Sequence, residues 1–451
     1  MSAKMRYLSA SLCTLVLHIL CANALYEGYR LVRILPRGKN ETKAIQVLEH
    51  LESVIENRTV GPTDKIRTRS ELRDIHFFVL HELVEPHYDI WSIDRRMERP
   101  VCMMVSPEGW NNLSRILDRF NMTFEVLIEN LKAEIDRQAR EKNRQLRLQM
   151  FRTKIKSEHD TYRTVEEIEA AVDRYARKHP FVQIEVLGYT AENRPVRALK
   201  ISKDVSKPII WIDAGIHARE WIAPAATLYF VDRLLTRGGQ AFLKDFQFFI
   251  VPLVNPDGYH YTHQADRLWR KNRSPTAGEH CVGVDLNRNF PLKWGFGDGT
   301  SPRACDDIYR GDGPASELES QALINKLTEL KDQIVLYLNL HSFGQFILTP
   351  YGFARYRYPG NYNNMINLGE LVQKEIQKRY NYVYRVGSAS DLLYEASGGA
   401  EDFVAGVLNV PYAYTIELCD EGRYGFLLPP TYIRTVGRQL WTAVKVFAYN
   451  M

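Results

Sequence analysis

The sequence predicts a large α/β domain that follows a smaller α+β domain. Four apolar runs bounded by turn residues recur after residue 157, and helical patterns separate them. Such runs suit strands that are buried on both faces, so helices should cover both sides of a mostly parallel or mixed sheet. The chain has 451 residues, 45% of them hydrophobic and 25% charged. That balance is typical of globular proteins, and the length suggests roughly three domains, or two of which one is large.

The N-terminus has the pattern of a signal peptide. Lys4 and Arg6 precede an apolar stretch over 8–20, and Ala22 and Ala24 supply the small residues of a cleavage site. The alternative is a membrane anchor, but the apolar run is short and contains a histidine. We therefore expect residues 1–24 to be a signal peptide and the mature chain to be secreted.

Cleavage after residue 24 would leave four cysteines. In an oxidising compartment Cys281 and Cys305 can close a disulfide loop, worth about 3 kcal/mol from chain entropy. Cys102 and Cys419 are expected to stay unpaired. Five N-x-S/T sequons also fit a secreted glycoprotein; they begin at Asn40, Asn57, Asn112, Asn121 and Asn272.

The first domain is expected over 25–135. It contains two strand-like and two helical segments, at 28–36, 41–55, 99–106 and 108–120. The connector that follows, 136–156, holds eight Lys and Arg residues. It could be simply a solvated helix, but an exposed basic connector is also an easy target for a trypsin-like protease. We expect proteolytic cleavage there, with the mature C-terminal chain beginning between about residues 148 and 160.

The second domain, 157–451, shows the alternation that defines the fold class. The strand runs lie at 208–217, 246–256, 334–343 and 411–419, and the clearest helical patterns at 222–236, 315–331, 363–379 and 430–447. Polar residues stand where the strand runs end, notably His217, Glu220, His341 and Glu417. In open α/β sheets this edge is where sites form, so these side chains should converge.

Three of these residues form a candidate metal site. His217 and Glu220 lie three residues apart on a turn that leaves a strand, and His341 ends another strand. Two histidines and one glutamate are a catalytic zinc set that keeps a fourth position for water. A structural histidine remains an alternative for either His taken alone. The rival pair His260 and His263 follows a turn sequence, and we interpret both as loop residues.

Seven motifs follow one another along the chain: GIHAREW (215–221), NPDGY (255–259), RLWRKNR (267–273), VDLNRNF (284–290), LNLHSFGQ (338–345), LYEASGGAEDF (393–403) and TIELCDEGRYGFLLP (415–429). They occur in the order found in pancreatic-type zinc carboxypeptidases of the A/B group, which the chain resembles from about residue 26 to its end. The resemblance implies a secreted procarboxypeptidase. It implies an eight-stranded mixed sheet with helices on both faces, and a ferredoxin-like pro-domain that covers the cleft.

The resemblance also implies roles for individual residues. One Zn²⁺ would be bound by the two histidines and Glu220, with Glu417 as general base and acid. Arg270 would stabilise the oxyanion. The substrate carboxylate would be bound by Asn287 and Arg288, with Tyr394 closing over the C-terminal residue. The remaining substrate-binding residues would be Arg219, Arg267, Ser342 and Phe426.

Specificity is expected to follow from Glu401, which matches the floor of the pocket for the C-terminal side chain. A carboxylate there favours Lys or Arg, because a dehydrated charge is costly without a partner. The aligned wall residues Gly352, Ala389 and Leu393 are small or apolar. If Glu401 points away or pairs with a protein cation, apolar C-terminal residues would be preferred instead. In B-type members of the group the matching residue is Asp, so the resemblance implies a B-like pocket; Glu is one methylene longer, and the choice between Lys and Arg stays open.

Two positions depart from the group, and neither removes a catalytic residue. Cys419 stands where Arg is usual, which should raise the pKa of Glu417. Phe343 stands where Tyr is common.

The competing hypotheses are a catalytically silent binding protein and a regulatory, prohormone-processing peptidase. The net charge of +5 is too small to indicate nucleic-acid binding. We expect a monomer without a mature transmembrane helix, acting on peptide or protein C-termini.

Overall fold

The computed structural model describes residues 25–35, 88–92, 100–119, 122–151, 159–276, 281–297 and 299–451. The signal-peptide segment, the helix expected over 41–55 and the sequons at Asn40, Asn57 and Asn121 lie outside these ranges. None of the helices in the described ranges is both long enough and apolar enough to cross a membrane.

The N-terminal domain is built around a small antiparallel sheet. Its elements are β1 (Arg30–Leu35), β2 (Tyr88–Ser92), β3 (Val101–Val105), α1 (Pro107–Arg119), β4 (Thr123–Ile128) and α2 (Leu131–Phe151). The strand order is β2-β3-β1-β4, and every neighbouring pair is antiparallel. The basic connector expected over 136–156 is helical up to residue 151, because α2 continues through it.

The C-terminal domain contains an eight-stranded mixed sheet. Its strands are β5 (Val182–Tyr189), β6 (Pro195–Ile201), β7 (Ile209–Ala214), β8 (Gln247–Val251), β9 (Ile334–Ser342), β10 (Phe346–Thr349), β11 (Arg385–Ser388) and β12 (Tyr412–Leu418). Their order is β11-β10-β12-β9-β7-β8-β6-β5. The four strands predicted from apolar runs are β7, β8, β9 and β12, which are neighbours at the centre. The other four are shorter or half-exposed and lack that signal.

Helices cover both faces of this sheet, as predicted. They are α3 (Val165–Lys178), α4 (Ile222–Leu234), α5 (Pro256–Gln264), α6 (Leu318–Leu330), α7 (Tyr362–Tyr380), α8 (Ala389–Leu392), α9 (Ala400–Gly406) and α10 (Ile433–Asn450). One core cluster joins α3, α4, α7 and α10 to the sheet. A second joins α6 and α9 to the opposite face. Alternate residues of β9 therefore enter different cores, and its polar residues lie on the α9 face.

Several local expectations can be compared with the structure. Cys281 and Cys305 form a disulfide, while Cys102 and Cys419 are free and buried. Asn272 is fully buried and its amide donates to Ser274, Glu317 and Glu319, so this sequon cannot be reached in the folded protein. The interpretation of 260–263 as a loop is wrong, because Asn255 caps α5 there by accepting from the Gly258 N–H at 2.9 Å.

Candidate active site

The metal-ligand candidates meet at the carboxyl edge of two neighbouring parallel strands. β7 ends at Ala214, and Gly215, with φ +68°, turns the chain toward His217 and Glu220. Only glycine fits this turn, because a Cβ there would lie 2.7 Å from Leu253. His341 is the penultimate residue of β9, the strand beside β7. The sheet therefore brings together residues that are more than 120 positions apart.

The three side chains form a compact donor set. Their candidate ligand atoms all lie within 4.8 Å of one another, and no other such group occurs among the described residues. His217 Nδ1 lies 2.9 Å from Glu220 Oε1, while His341 Nδ1 lies 3.1 Å from both Glu220 Oε2 and His217 Nδ1. Burial opposes charge on these groups, but their mutual attraction raises the pKa of His341 to about 9 and lowers that of Glu220.

This donor set fits zinc. Two imidazole nitrogens and one carboxylate lie close together, and all three side chains are buried. Histidine nitrogen and carboxylate oxygen are ligands that Zn²⁺ takes in catalytic sites. On the outer side of His217, Nε2 lies 3.1 Å from Asp285 Oδ1, a carboxylate contact that holds Nδ1 toward the site. Bound zinc would supply an acidified water and polarise the scissile carbonyl.

Asp285 was not identified from the sequence, although it lies inside one of the motifs. Its second oxygen accepts from Arg270 Nε and Nη2 at 3.0 and 2.8 Å. Burial alone would raise its pKa, but Arg270 and His217 hold it well below the usual range. One carboxylate thus orients both a metal ligand and the arginine expected at the oxyanion. The motif VDLNRNF was the available signal, but the sequence does not show that Asp285 lies behind His217.

Glu417 lies beside the metal ligands because of strand register. In the parallel pair β12 and β9 it is the direct partner of His341, and it lines the cleft with Arg270 and Glu220. Burial raises the pKa of Glu417 to about 8, while His341 opposes that shift. A carboxyl group with a raised pKa can accept the proton of a water and pass it to a leaving amine. Cys419 contacts Tyr384 and Gln439 in the main core instead.

Asn287 and Arg288, the pair expected to bind the substrate carboxylate, are held in place by backbone contacts. Asn287 Oδ1 accepts from the Ala400 N–H at 2.9 Å, which fixes its amide. Arg288 donates to the carbonyls of Gly299 and Asn287, and its Nη2 is buried without a partner. A buried guanidinium with a free donor suits a substrate carboxylate. Tyr394 lies next to it, with its ring 5.9 Å from the Arg288 Cζ.

The outer cleft is shared with the N-terminal domain. Trp91 on β2 packs its ring 5.0 Å from Phe426 and 6.4 Å from Phe343. Asp89, two residues earlier, accepts from Arg219 Nη1 at 3.2 Å. These contacts cover the cleft residues that would bind the upstream part of a peptide. Neither Trp91 nor Asp89 was singled out in the sequence, because only the docked domain shows what they cover.

Two further expected subsite residues can now be placed. Ser342 lines the cleft: its N–H donates to Glu220 at 3.1 Å and its hydroxyl is buried without a partner. Arg267 does not line it. Its guanidinium donates to the carbonyls of Arg219 and Phe426 at 2.9 and 2.5 Å and stacks 3.6 Å from the Trp221 ring. Arg267 therefore supports two cleft residues from behind.

Comparison with known proteins agrees with this geometry. Residues 168–443 match the zinc carboxypeptidase family, and 73–138 match the carboxypeptidase activation peptide. The chain belongs to the zinc carboxypeptidase family. As in that family, this carboxypeptidase is a zinc-dependent peptide hydrolase, and its activation peptide makes it a zymogen. The sequence-based identification as a pancreatic-type procarboxypeptidase is confirmed.

The carboxypeptidase is similar to several characterised enzymes. Carboxypeptidase O from Homo sapiens is 42% identical over 265 residues, which is 57% of this chain and 70% of the relative. Carboxypeptidase B2 from Bos taurus is 36% identical over 78% of this chain and 83% of its own. The crystal structure of thrombin activatable fibrinolysis inhibitor superposes with a TM-score of 0.76 at 30% identity, covering 94% of this chain and 98% of that one. This agreement supports the predicted fold over both domains.

Proposed function

We propose that the protein is a secreted procarboxypeptidase that, once activated, removes C-terminal Lys or Arg from peptides and proteins. The observation that carries this proposal is the carboxylate of Glu401, which is buried and forms no ion pair with any residue that the structure describes. The names of the relatives do not decide specificity, since carboxypeptidases O, A2 and B2 are all similar to this chain.

The position of Glu401 supports a role in the pocket. The residue is 6% exposed, and its carboxylate lies between two glycines: a Cβ on Gly399 would be 2.8 Å from Oε1, and one on Gly352 would be 3.5 Å away. Its Oε2 is buried without a hydrogen bond, and no ion pair to Glu401 occurs within the described ranges. The alternative in which this charge is paired by a protein cation is therefore disfavoured. A substrate ammonium or guanidinium would supply the missing partner.

The strands beneath Glu401 add further acceptors. Asn339 on β9 is in register with Asp213 on β7 and Thr415 on β12, and each has a buried oxygen without a partner. This row lies two residues from His341 and Glu417 along the strands, about 6.6 Å deeper. A long cationic side chain with several N–H donors suits such a floor. Sequence analysis missed this row because Asn339 and Thr415 become neighbours only through sheet pairing.

The alternatives make different demands on the same site. A preference for apolar residues would require the carboxylate to remain desolvated and unpaired in the complex, which is costly. A silent binding protein would be expected to lack one of the catalytic groups. Here the candidate ligands, Glu417, Arg270 and the Asn287–Arg288 pair are all retained in the sequence, and His217, Glu220, Arg270 and Glu417 line one cleft.

Secretion and proteolytic activation complete the proposal. The leader pattern over 1–24 and the disulfide both favour an extracellular protein. The basic connector is the candidate cleavage region, and Trp91 with Asp89 accounts for low activity before cleavage, because both cover outer cleft residues.

The test compares peptides that end in Lys, Arg, Leu or Phe, before and after mild trypsin treatment of the zinc-loaded full chain. We expect activity to rise on cleavage into two domain-sized fragments, with Lys and Arg substrates hydrolysed fastest. A fully active uncut chain would contradict the zymogen regulation, and a preference for Leu or Phe would contradict the specificity.

A further inference from the structure

A second large cavity lies between the two domains, away from the zinc site. It has a volume of about 470 Å³, within the range of small-molecule pockets. One wall is formed by α2, including Ile135, Ala139 and Lys142, and the other by the catalytic domain, including Trp221 and Arg267. None of the candidate zinc ligands lines it. We call it the interdomain cavity.

The walls of the interdomain cavity are apolar and aromatic over most of their area. The Tyr162 ring packs edge-on against Trp221, with 5.6 Å between the ring centroids, and Pro429 and Pro430 also line the cavity. The Trp221 N–H is already used by Thr262 at 2.8 Å, so its ring presents an apolar face. Such walls suit the apolar body of a ligand.

The cationic groups at the cavity are poorly neutralised. Arg267 is 6% exposed and forms no ion pair within the described part of the chain; it donates to backbone carbonyls, and its Nε is buried without a partner. The nearest carboxylate oxygen paired with Lys142 Nζ is that of Glu167, at 3.9 Å. Burial lowers the pKa of Arg267 to about 10 and lowers that of Lys142. An anion placed between them would relieve this cost.

The pKa of His263 is lowered by the same two cations. The imidazole stacks 4.1 Å from Trp221, and its Nε2 is buried without a partner. Burial, together with the charges of Lys142 and Arg267, lowers its pKa to about 3. The imidazole is therefore neutral, and its one N–H donates to the Arg163 backbone, so His263 adds no positive charge to the cavity.

The carboxylates on the cavity wall are paired with arginines that do not line it. Asp160 accepts from Arg434 at 3.1 Å, and Glu141 lies 3.5 Å from Arg144. The third lining cation, Arg137, is paired with Glu134 at 2.7 Å. The charge left at the cavity is consequently positive: Arg267 has no carboxylate partner within the described part of the chain, and Lys142 has only the long contact to Glu167 at 3.9 Å.

We propose that the interdomain cavity binds a small organic carboxylate with an apolar body, and that this ligand holds α2 on the catalytic domain before activation. The anion would lie near Lys142 and Arg267, and the apolar body against Trp221 and Tyr162. Because α2 forms one wall, the site is complete only in the uncut chain. Ligand binding then favours the docked zymogen by mass action.

The binding test uses the zinc-loaded full chain, with 4-phenylbutyrate as the probe and 4-phenyl-1-butanol as its uncharged analogue. Calorimetry should show saturable binding of the carboxylate, with the alcohol weaker by about tenfold or more. At ten times the dissociation constant, the fraction of chains with α2 detached should fall about tenfold, which slows trypsin cleavage of the connector accordingly. Absence of saturable binding, or equal binding of the alcohol, would overturn the proposal.

Variants locate the site. Lys142→Glu should lower affinity by about tenfold or more by reversing the charge, and Ala139→Trp should do so by filling the cavity. The matched control is Arg140→Glu, an exposed residue of the same helix that does not line the cavity, and it should bind as the parent does. Binding that survives both cavity variants, or that persists undiminished after trypsin removes α2, would assign the probe to another site and refute the inference.

Discussion

Replacement of Glu401 tests the specificity argument most directly. The carboxylate is buried and has no cationic partner in the described part of the chain, so a C-terminal Arg would form its ion pair only in the complex. Breaking a buried pair costs about 3–5 kcal/mol. At about 1.4 kcal/mol for each factor of ten, Glu401→Ile should lower kcat/KM for Arg substrates by roughly 10²- to 10⁴-fold. The same change should raise kcat/KM for Phe substrates, because binding them no longer desolvates an unpaired charge.

The assay measures kcat/KM for matched peptides ending in Arg and Phe, using the activated enzyme. Glu401→Gln keeps the shape and removes only the charge, so it separates electrostatics from pocket volume. Glu395→Gln is the matched control, since Glu395 accepts from the Arg355 N–H at 2.9 Å on a neighbouring segment. An unchanged Arg-to-Phe ratio in Glu401→Gln would refute the charge argument, and wild-type preference for Phe would refute the assignment itself.

Three further predictions concern the metal, its supporting carboxylate and a remote buried acid. Chelation should abolish hydrolysis and added Zn²⁺ should restore it; full activity in a metal-free preparation would contradict the role of zinc. Asp285→Asn should weaken zinc binding about 10- to 100-fold, measured by chelator competition, because His217 loses its charged partner; unchanged retention would exclude this positioning role. Burial raises the pKa of Glu319 to about 7, so the native state keeps a proton that the unfolded state loses, and stability falls as pH rises from about 4.5 to 7. Glu319→Gln should remove this loss. In denaturant titrations the free energy of unfolding of the variant, relative to the parent, should rise by roughly 3 kcal/mol between pH 5 and pH 8. A difference that does not change with pH would refute the prediction.

Much of the architecture follows from the sequence because the central strands are buried on both faces. Apolar runs bounded by turn residues, at strand rather than helix length, made the four central strands predictable, and helical spacing did the same for the helices expected over 222–236, 315–331, 363–379 and 430–447. The shorter strands β10 and β11, of four residues each, carry too little periodicity to be recognised. The helix α5 was missed because Asn255-Pro256-Asp257-Gly258 has the pattern of a turn, although the same residues cap and begin a helix.

The sequence by itself determined the chemistry of this protein: which residue types can bind zinc, transfer a proton and bind a carboxylate, and the order in which they occur. Only the tertiary structure decided which side chains touch. Register placed Glu417 beside His341, and folding brought Asp285 behind both His217 and Arg270. Domain docking set Trp91 against Phe426 and created the interdomain cavity. Such contacts join residues far apart in the chain, and local patterns cannot report them because they depend on how sheets and domains pack.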